Sequence, residues 1–270
     1  MIGGGGLLGV LVLVLASQLL GVDLSPLMGA VSGSGGASSS EQLVPLENCE
    51  TGADANENDE CRMAAATDSL DVFWAGQFES GYVQPGVILY SDYTDSACGT
   101  ASAAVGPFYC PSDQSIYLDT AFFATLRSDF GASAGPLAQM YVLAHEWGHH
   151  VSNLTGVLSQ VGRETGPASG SVRLELQADC YAGAWVREAS TVTDSQGVAF
   201  MKPVSSEEIA DAMNAAAVVG DDYIQRRSGQ GVNPEGFTHG TSEQRQRWFD
   251  AGYRSGATAC DTFSVNAGEL

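Results

Sequence analysis

The chain is 270 residues long and 44% hydrophobic, enough to bury one sizeable core or two small ones. Its 32 acidic residues outnumber 11 basic ones, giving a formal charge of −21, and a single lysine, Lys202, is among the basics. That balance excludes a nucleic-acid binder, which needs Lys and Arg to displace counterions from phosphate, and points instead to a strongly solvated surface.

The first 22 residues, MIGGGGLLGVLVLVLASQLLGV, carry no charge, and the first charged side chain is Asp23. At 1.5 Å per residue such a stretch just crosses a hydrocarbon core about 30 Å thick. The expectation is a transmembrane signal anchor over 1–22, or a signal peptide cut between Ala16 and Ser17. No Lys or Arg precedes it, so basic residues set no orientation. Residues 23–45 follow as a linker, because SGSGGASSS (32–40) is too rich in Gly and Ser to pack. From 46 to 270 there is neither a repeat nor a second linker, and this stretch reads as one domain.

Six cysteines stand at 49, 61, 98, 110, 180 and 260, none in a CxxC pair. This argues against a zinc knuckle. An even count behind an export signal reads as three disulfides formed in an oxidising compartment. Local spacing favours Cys49 with Cys61 and Cys98 with Cys110, leaving Cys180 for Cys260. Inside the first of these, DANENDE (54–60) reads as a solvated acidic loop. Asp54, Asn56 and Asn58 have calcium-loop spacing, but Asp59 replaces the required glycine and Ala65 the closing glutamate.

Further along, DVFWAGQFE (71–79) predicts a short amphipathic helix, and GVILY (86–90) and QSIYLD (114–119) predict strands. PLAQMYVLAHEWGHHVSNL (136–154) is apolar around most of its circumference and predicts a buried helix. A Gly/Ser/Pro-containing stretch separates it from a second mostly buried helix, SVRLELQADCYAGAWVREA (171–189). Capping boxes at Ser205 with Glu208 and Thr241 with Gln244 mark later helix starts. The fold class is therefore α+β, a small sheet backed by helices.

Three of the four histidines fall in HEWGHH (145–150). His145 and His149, four apart, lie about 40° from each other on one helix face, so both imidazoles reach one ion. Glu146 is turned about 100° from His145, beside the ligands, where the general base for a zinc-activated water belongs. His150 is turned away from the ion and reads as a supporting or surface residue. The third ligand is expected in the next buried helix, where Glu175 and Asp179 are again four apart and flanked by Leu174, Leu176 and Ala178. Glu175 would bind the metal, and Asp179 would accept the free ring N–H of a ligating histidine. His239, in a loop before a capped helix, is a candidate to stabilise the oxyanion, with Tyr181 as the alternative and a local backbone-bonding role as the plain reading.

The segments GPFYCPSDQSIYLD (106–119), AHEWGHHVS (144–152), RLELQADCYAGAW (173–185), FTHGTSEQRQRWFDAGYRSG (237–256) and CDTF (260–263) resemble, in order, those of the bacterial neutral zinc metallopeptidase family. An N-terminal Gly-rich membrane segment is similar too; a basic stretch before it is missing here. The resemblance implies zinc, an HExxH peptidase-like site and a membrane-tethered chain. Together these readings lead to a zincin-like α+β domain with an N-terminal transmembrane segment. It would hydrolyse peptide or protein substrates outside the cytoplasm, anchored in the membrane, or secreted if the segment is cut. By analogy with zincins, an edge strand, Ser115 to Asp119, would pair with the substrate backbone. The alternative is a membrane-tethered binding or scaffold protein with a structural or non-turnover zinc. Against it, a structural site would close its fourth position with Cys or His.

Overall fold

The computed structural model describes residues 42–43, 46, 49–102, 105–229 and 231–270. The expected membrane segment and nearly all of the expected linker lie outside these residues. Among the described residues no helix is long and apolar enough to cross a membrane.

Two layers form the molecule. Strands β1 (Gln42–Leu43), β2 (Gly86–Ser91), β5 (Phe108–Cys110) and β6 (Ser115–Asp119) make a four-stranded sheet in the order β1-β2-β6-β5. β2 and β6 run parallel, while the two outer pairings are antiparallel. β3 (Tyr93–Ser96) and β4 (Gly99–Ser102) form a separate hairpin. The expected substrate-binding edge is thereby corrected: Ser115–Asp119 lies inside the sheet, with Ser115–Tyr117 bonded on both sides, and the outer strands are Gln42–Leu43 and Phe108–Cys110. Short apolar runs identify strands without saying which will be outermost, because that is set by pairing.

The other layer is helical: α1 (Gly52–Glu57), α2 (Asp59–Gln77), α3 (Phe122–Ser128), α4 (Pro136–Leu154), α5 (Gly170–Glu188), α6 (Ser206–Val218), α7 (Asp221–Arg227) and α8 (Ser242–Ser255). This is a single α+β domain, as the composition and patterning predict. The expected acidic loop and short helix at 71–79 are corrected too. Thr51 and Asp54 form a capping box that starts α1, and the Asn58 side chain caps α2 at the Cys61 N–H. Two of the three side chains that gave calcium-loop spacing, Asp54 and Asn58, are thus spent on helix starts.

α4 starts at Pro136, whose missing N–H costs nothing at a first turn. It buries Leu143, Ala144, Trp147 and Val151. α5 is capped by Ser169. The two helices touch where Gly148 meets Ala178; a Cβ on Gly148 would stand 2.8 Å from the Ala178 Cα. α5 and α8 approach closer still, Gly183 against the Phe249 carbonyl and Gly252 against the Cys180 carbonyl. Both Ser205–Glu208 and Thr241–Gln244 capping boxes form. All three expected disulfides, Cys49–Cys61, Cys98–Cys110 and Cys180–Cys260, are present.

Candidate metal centre

The spacing of α4 puts the His145 and His149 rings 4.8 Å apart, nearly perpendicular. α5, held close by the glycine contact, presents Glu175 to both: Oε2 lies 3.1 Å from His145 Nε2 and Oε1 lies 3.4 Å from His149 Nε2. Ligand atoms of the three residues lie within 4.8 Å of one another, and all three are buried.

Asp179, one turn along α5, receives the His145 Nδ1–H at 2.8 Å. It also accepts from the Tyr141 hydroxyl and, bidentately, from Arg245 Nε and Nη2 at 2.8 and 2.9 Å. With Nδ1 donating, a neutral His145 turns its Nε2 lone pair toward the Glu175 carboxylate, and these two acceptors need a positive charge between them, a proton on Nε2 or a metal ion. Burial alone would push the His145 pKa down, but the Asp179 and Glu175 carboxylates outweigh it and hold it up at about 10. Burial likewise opposes charge on Glu175, yet the two imidazoles hold its carboxyl well below the usual range. The site thus holds positive charge beside Glu175, as a proton on the imidazole or as an ion in its place. Tetrahedral zinc with ligand bonds of about 2.0–2.1 Å has ligand–ligand edges of roughly 3.4 Å, and a His, His, carboxylate set with an open fourth position is a catalytic donor set. The residues fit such an ion.

Glu146 stands apart from this network, buried and lining the cleft. Burial raises its pKa, opposed by His149 and His145. His239 also lines the cleft and Tyr181 does not; Tyr181 packs edge-on to Trp74. The His239 Nδ1 side is held by Asp221 Oδ1 at 3.2 Å, and Asp221 Oδ2 accepts the backbone N–H groups of Thr238, His239 and Gly240. Burial disfavours the imidazolium, but the Asp221 hydrogen bond and the Glu175 charge raise the His239 pKa above its ordinary value. His150 corrects the surface reading. It is fully buried, with Nε2 donating to the Val83 carbonyl at 2.7 Å and Nδ1 taking the Tyr109 hydroxyl at 3.0 Å, and burial lowers its pKa. That position belongs to the packing of α4 on the sheet.

Sequence reasoning missed Tyr141, Arg245 and Asp221. Arg245 left a signal: with Trp248, Phe249 and Gly252 it occupies the buried stripe of α8 at i, i+3, i+4 and i+7. A guanidinium on a core face requires a carboxylate partner. Asp221 left none, since its partners, the His239 ring and three backbone N–H groups, belong to a loop beyond α7.

A family model described as "Putative neutral zinc metallopeptidase" matches residues 1–263. The chain belongs to this zinc metallopeptidase family. Among similar curated proteins, the uncharacterized protein Rv2575 of Mycobacterium tuberculosis is 48% identical over 255 residues, spanning 92% of this chain and 85% of that protein. The uncharacterized protein Mb2605 of Mycobacterium bovis has the same identity and coverage. The uncharacterized protein YpfJ of Escherichia coli is 36% identical over 272 residues, 97% of this chain and 87% of its own. No solved structure matches the chain. The family's metal-dependent character agrees with a triad that could hold zinc, His145, His149 and Glu175.

Proposed function

We propose that this member of the family is a zinc-dependent peptidase with a zincin-like site, acting outside the cytoplasm and tethered by its N-terminal segment. The observation that carries the reading is the confrontation of His145 Nε2 with the Glu175 carboxylate, locked by Asp179 on the far side of the ring. His145 Nε2, His149 Nε2 and a Glu175 oxygen would hold the metal. When bound, zinc supplies Lewis acidity, which brings deprotonation of water toward neutral pH.

Glu146 then takes the proton from the attacking water. The water's oxygen adds to the carbonyl carbon, the C–N bond breaks, and Glu146 returns the proton to the leaving nitrogen. His239, its Nδ1 side held by Asp221, would donate its Nε2–H to the carbonyl oxygen as negative charge develops there. The outer strand Phe108–Cys110, which lines the cleft at Phe108 and Tyr109, would pair with an extended peptide. The three disulfides fit the oxidising compartment that this location requires.

The test measures zinc content and peptide hydrolysis on three variants of the full chain. Glu146→Gln should retain zinc and lose hydrolysis, because the amide keeps the shape but accepts no proton. Glu175→Ala should lose both. Asp179→Asn should fall between, about 10- to 100-fold down in metal affinity or activity. Hydrolysis persisting in Glu146→Gln excludes the water-activation step, and full zinc retention in Glu175→Ala excludes it as a ligand. Tight zinc in a wild type that cleaves no peptide favours the scaffold reading.

A further inference from the structure

Among the described residues the cleft wall carries two guanidinium groups, those of Arg163 and Arg245. The Arg245 group is committed to Asp179. Arg163 is exposed and donates to none of the described residues, although the chain has 32 acidic side chains to offer. Its segment is nonetheless fastened. The Gly166 N–H donates to the Phe237 carbonyl at 2.8 Å and the Thr165 hydroxyl to the Glu235 carbonyl at 2.7 Å, which ties this stretch to the loop that holds His239. From there the wall continues along one face of α5, where Ser171 stands one turn before Glu175.

We propose that Arg163 is a specificity residue of the cleft, which takes a carboxylate of a bound peptide, from an acidic side chain or from a free chain end. A planar guanidinium offers two parallel N–H donors that match a carboxylate. An amide of the same shape has one acceptor oxygen and no charge, so it forfeits the pairing. At a net charge of −21 the chain repels an acidic peptide at long range, and a preference for a carboxylate must therefore arise at a contact. The imidazoles of the centre face Glu175 and Asp221. That leaves Arg163 as the uncommitted cation of the wall. That the bound peptide is a substrate rests on the hydrolytic reading above; the pairing with Arg163 does not.

The probes are alanine hexapeptides blocked at both ends, with one Asp or one Asn walked through the inner positions, and the all-alanine peptide with a free or an amidated C-terminus. Calorimetry measures their binding to the zinc-loaded, full-length Glu146→Gln chain in detergent, and mass spectrometry follows their cleavage by the wild type. At one position Asp should bind about 5-fold or more tighter than Asn at low ionic strength, a gap that narrows as salt is raised. A free chain end that binds tighter than its amide, with no favoured Asp position, assigns the carboxylate to the terminus instead. Adding Arg163→Gln should abolish the preference and Arg163→Glu should reverse it, with zinc content unchanged in both. Lys202→Gln removes one charge at an exposed residue that does not line the cleft, and should leave the preference intact. The proposal is overturned if carboxylate and amide probes bind equally, or if none binds. It is overturned as well by a preference that survives Arg163→Gln, as for a carboxylate seated on the metal, or that Lys202→Gln erases equally. If the wild type cleaves nothing while Glu146→Gln keeps an Arg163-dependent preference, the hydrolytic reading fails and the carboxylate subsite stands.

Discussion

Four donors converge on the Asp179 carboxylate: the His145 ring, the Tyr141 hydroxyl and two nitrogens of Arg245. Burial raises the cost of that charge, and the guanidinium more than offsets it, holding the Asp179 pKa low. Arg245→Lys should therefore be severe, since an ammonium cannot reproduce the bidentate fork. The expected loss is about 3–5 kcal/mol of stability, as for a buried pair with one partner removed. Zinc affinity should fall about 10- to 100-fold, because a loosened Asp179 no longer fixes the His145 tautomer. Urea unfolding and chelator competition read the two effects separately. Lost stability with unchanged zinc affinity would confine Arg245 to the fold. The Asp221–His239 pair offers a pH test. Asp221 is buried, yet its His239 and backbone hydrogen bonds lower its pKa, so its contribution is present above the ordinary carboxylate value and is lost as pH falls through the depressed one. The His239 pKa is raised, so its contribution is full below its ordinary value and is lost as pH rises through the raised one. The charge pair thus stabilises most between about pH 4 and 6.5. Asp221→Asn should lower the His239 pKa, measured by NMR on its imidazole, and cost most stability in that window; an unchanged His239 titration would refute the coupling. At this scale the triad, Glu146 and Asp179 were legible because helical spacing of four is a geometric statement. Arg245 was legible only as a charge on an apolar stripe, and Asp221 not at all.

Between elements, the contact that positions the centre is made by residues without side chains. A Cβ on Gly252 would stand 1.8 Å from the Cys180 carbonyl oxygen, and one on Gly183 would stand 2.0 Å from that of Phe249. α5 and α8 therefore meet backbone to backbone, which lets Arg245 on one reach Asp179 on the other. Gly252→Ala should force the helices apart, at a cost of at least about 3 kcal/mol, the top of the usual range for overpacking. Because the separation lies along the Arg245–Asp179 contact, zinc affinity should fall with stability, read by thermal unfolding and chelator competition on one preparation. A purely structural defect would leave the folded fraction with normal affinity. The long helices were legible from apolar runs with clear ends, Pro136 at one start and the Ser205 and Thr241 boxes at others. α2 was read short because its buried positions, Arg62 and Ser69 among them, mix polar with apolar residues. Arg62 enters the core by donating to Gln139, Asp59 and the Asn56 carbonyl. Its sequence signal was in the caps, Thr51 with Asp54 and then Asn58, which a reading by hydropathy passes over. The sheet's order was not legible, since β2 and β6 pair in parallel across an intervening hairpin and strand.

For the molecule as a whole the question is what the N-terminal apolar segment does for the rest. The described domain closes on itself. Cys180–Cys260 ties the C-terminal segment to the turn that follows Asp179, and Arg173 and Gln177 of α5 donate to the Val265 and Cys260 carbonyls along the same seam. A crosslink spanning 80 residues constrains the unfolded chain by about 4–5 kcal/mol in the entropic account. These contacts all join described residues of the C-terminal half. Residues 1–40 hold the uncharged run of 22, whereas every basic residue and all but one of the acidic ones lie beyond them. A chain of residues 41–270 retains β1, all three disulfides, the complete centre and nearly the whole negative charge, and has no helix among the described residues apolar enough to span a membrane. It should therefore be exported, when given a cleavable signal, as a monodisperse protein free of detergent. It should bind one zinc with the affinity of the full chain, while the full chain partitions with membranes. Sedimentation of membranes separates the two, and mass spectrometry counts the metal. If the oxidised 41–270 protein aggregates, or binds zinc more weakly than the full chain, the segment is part of the folded unit and the tether reading falls.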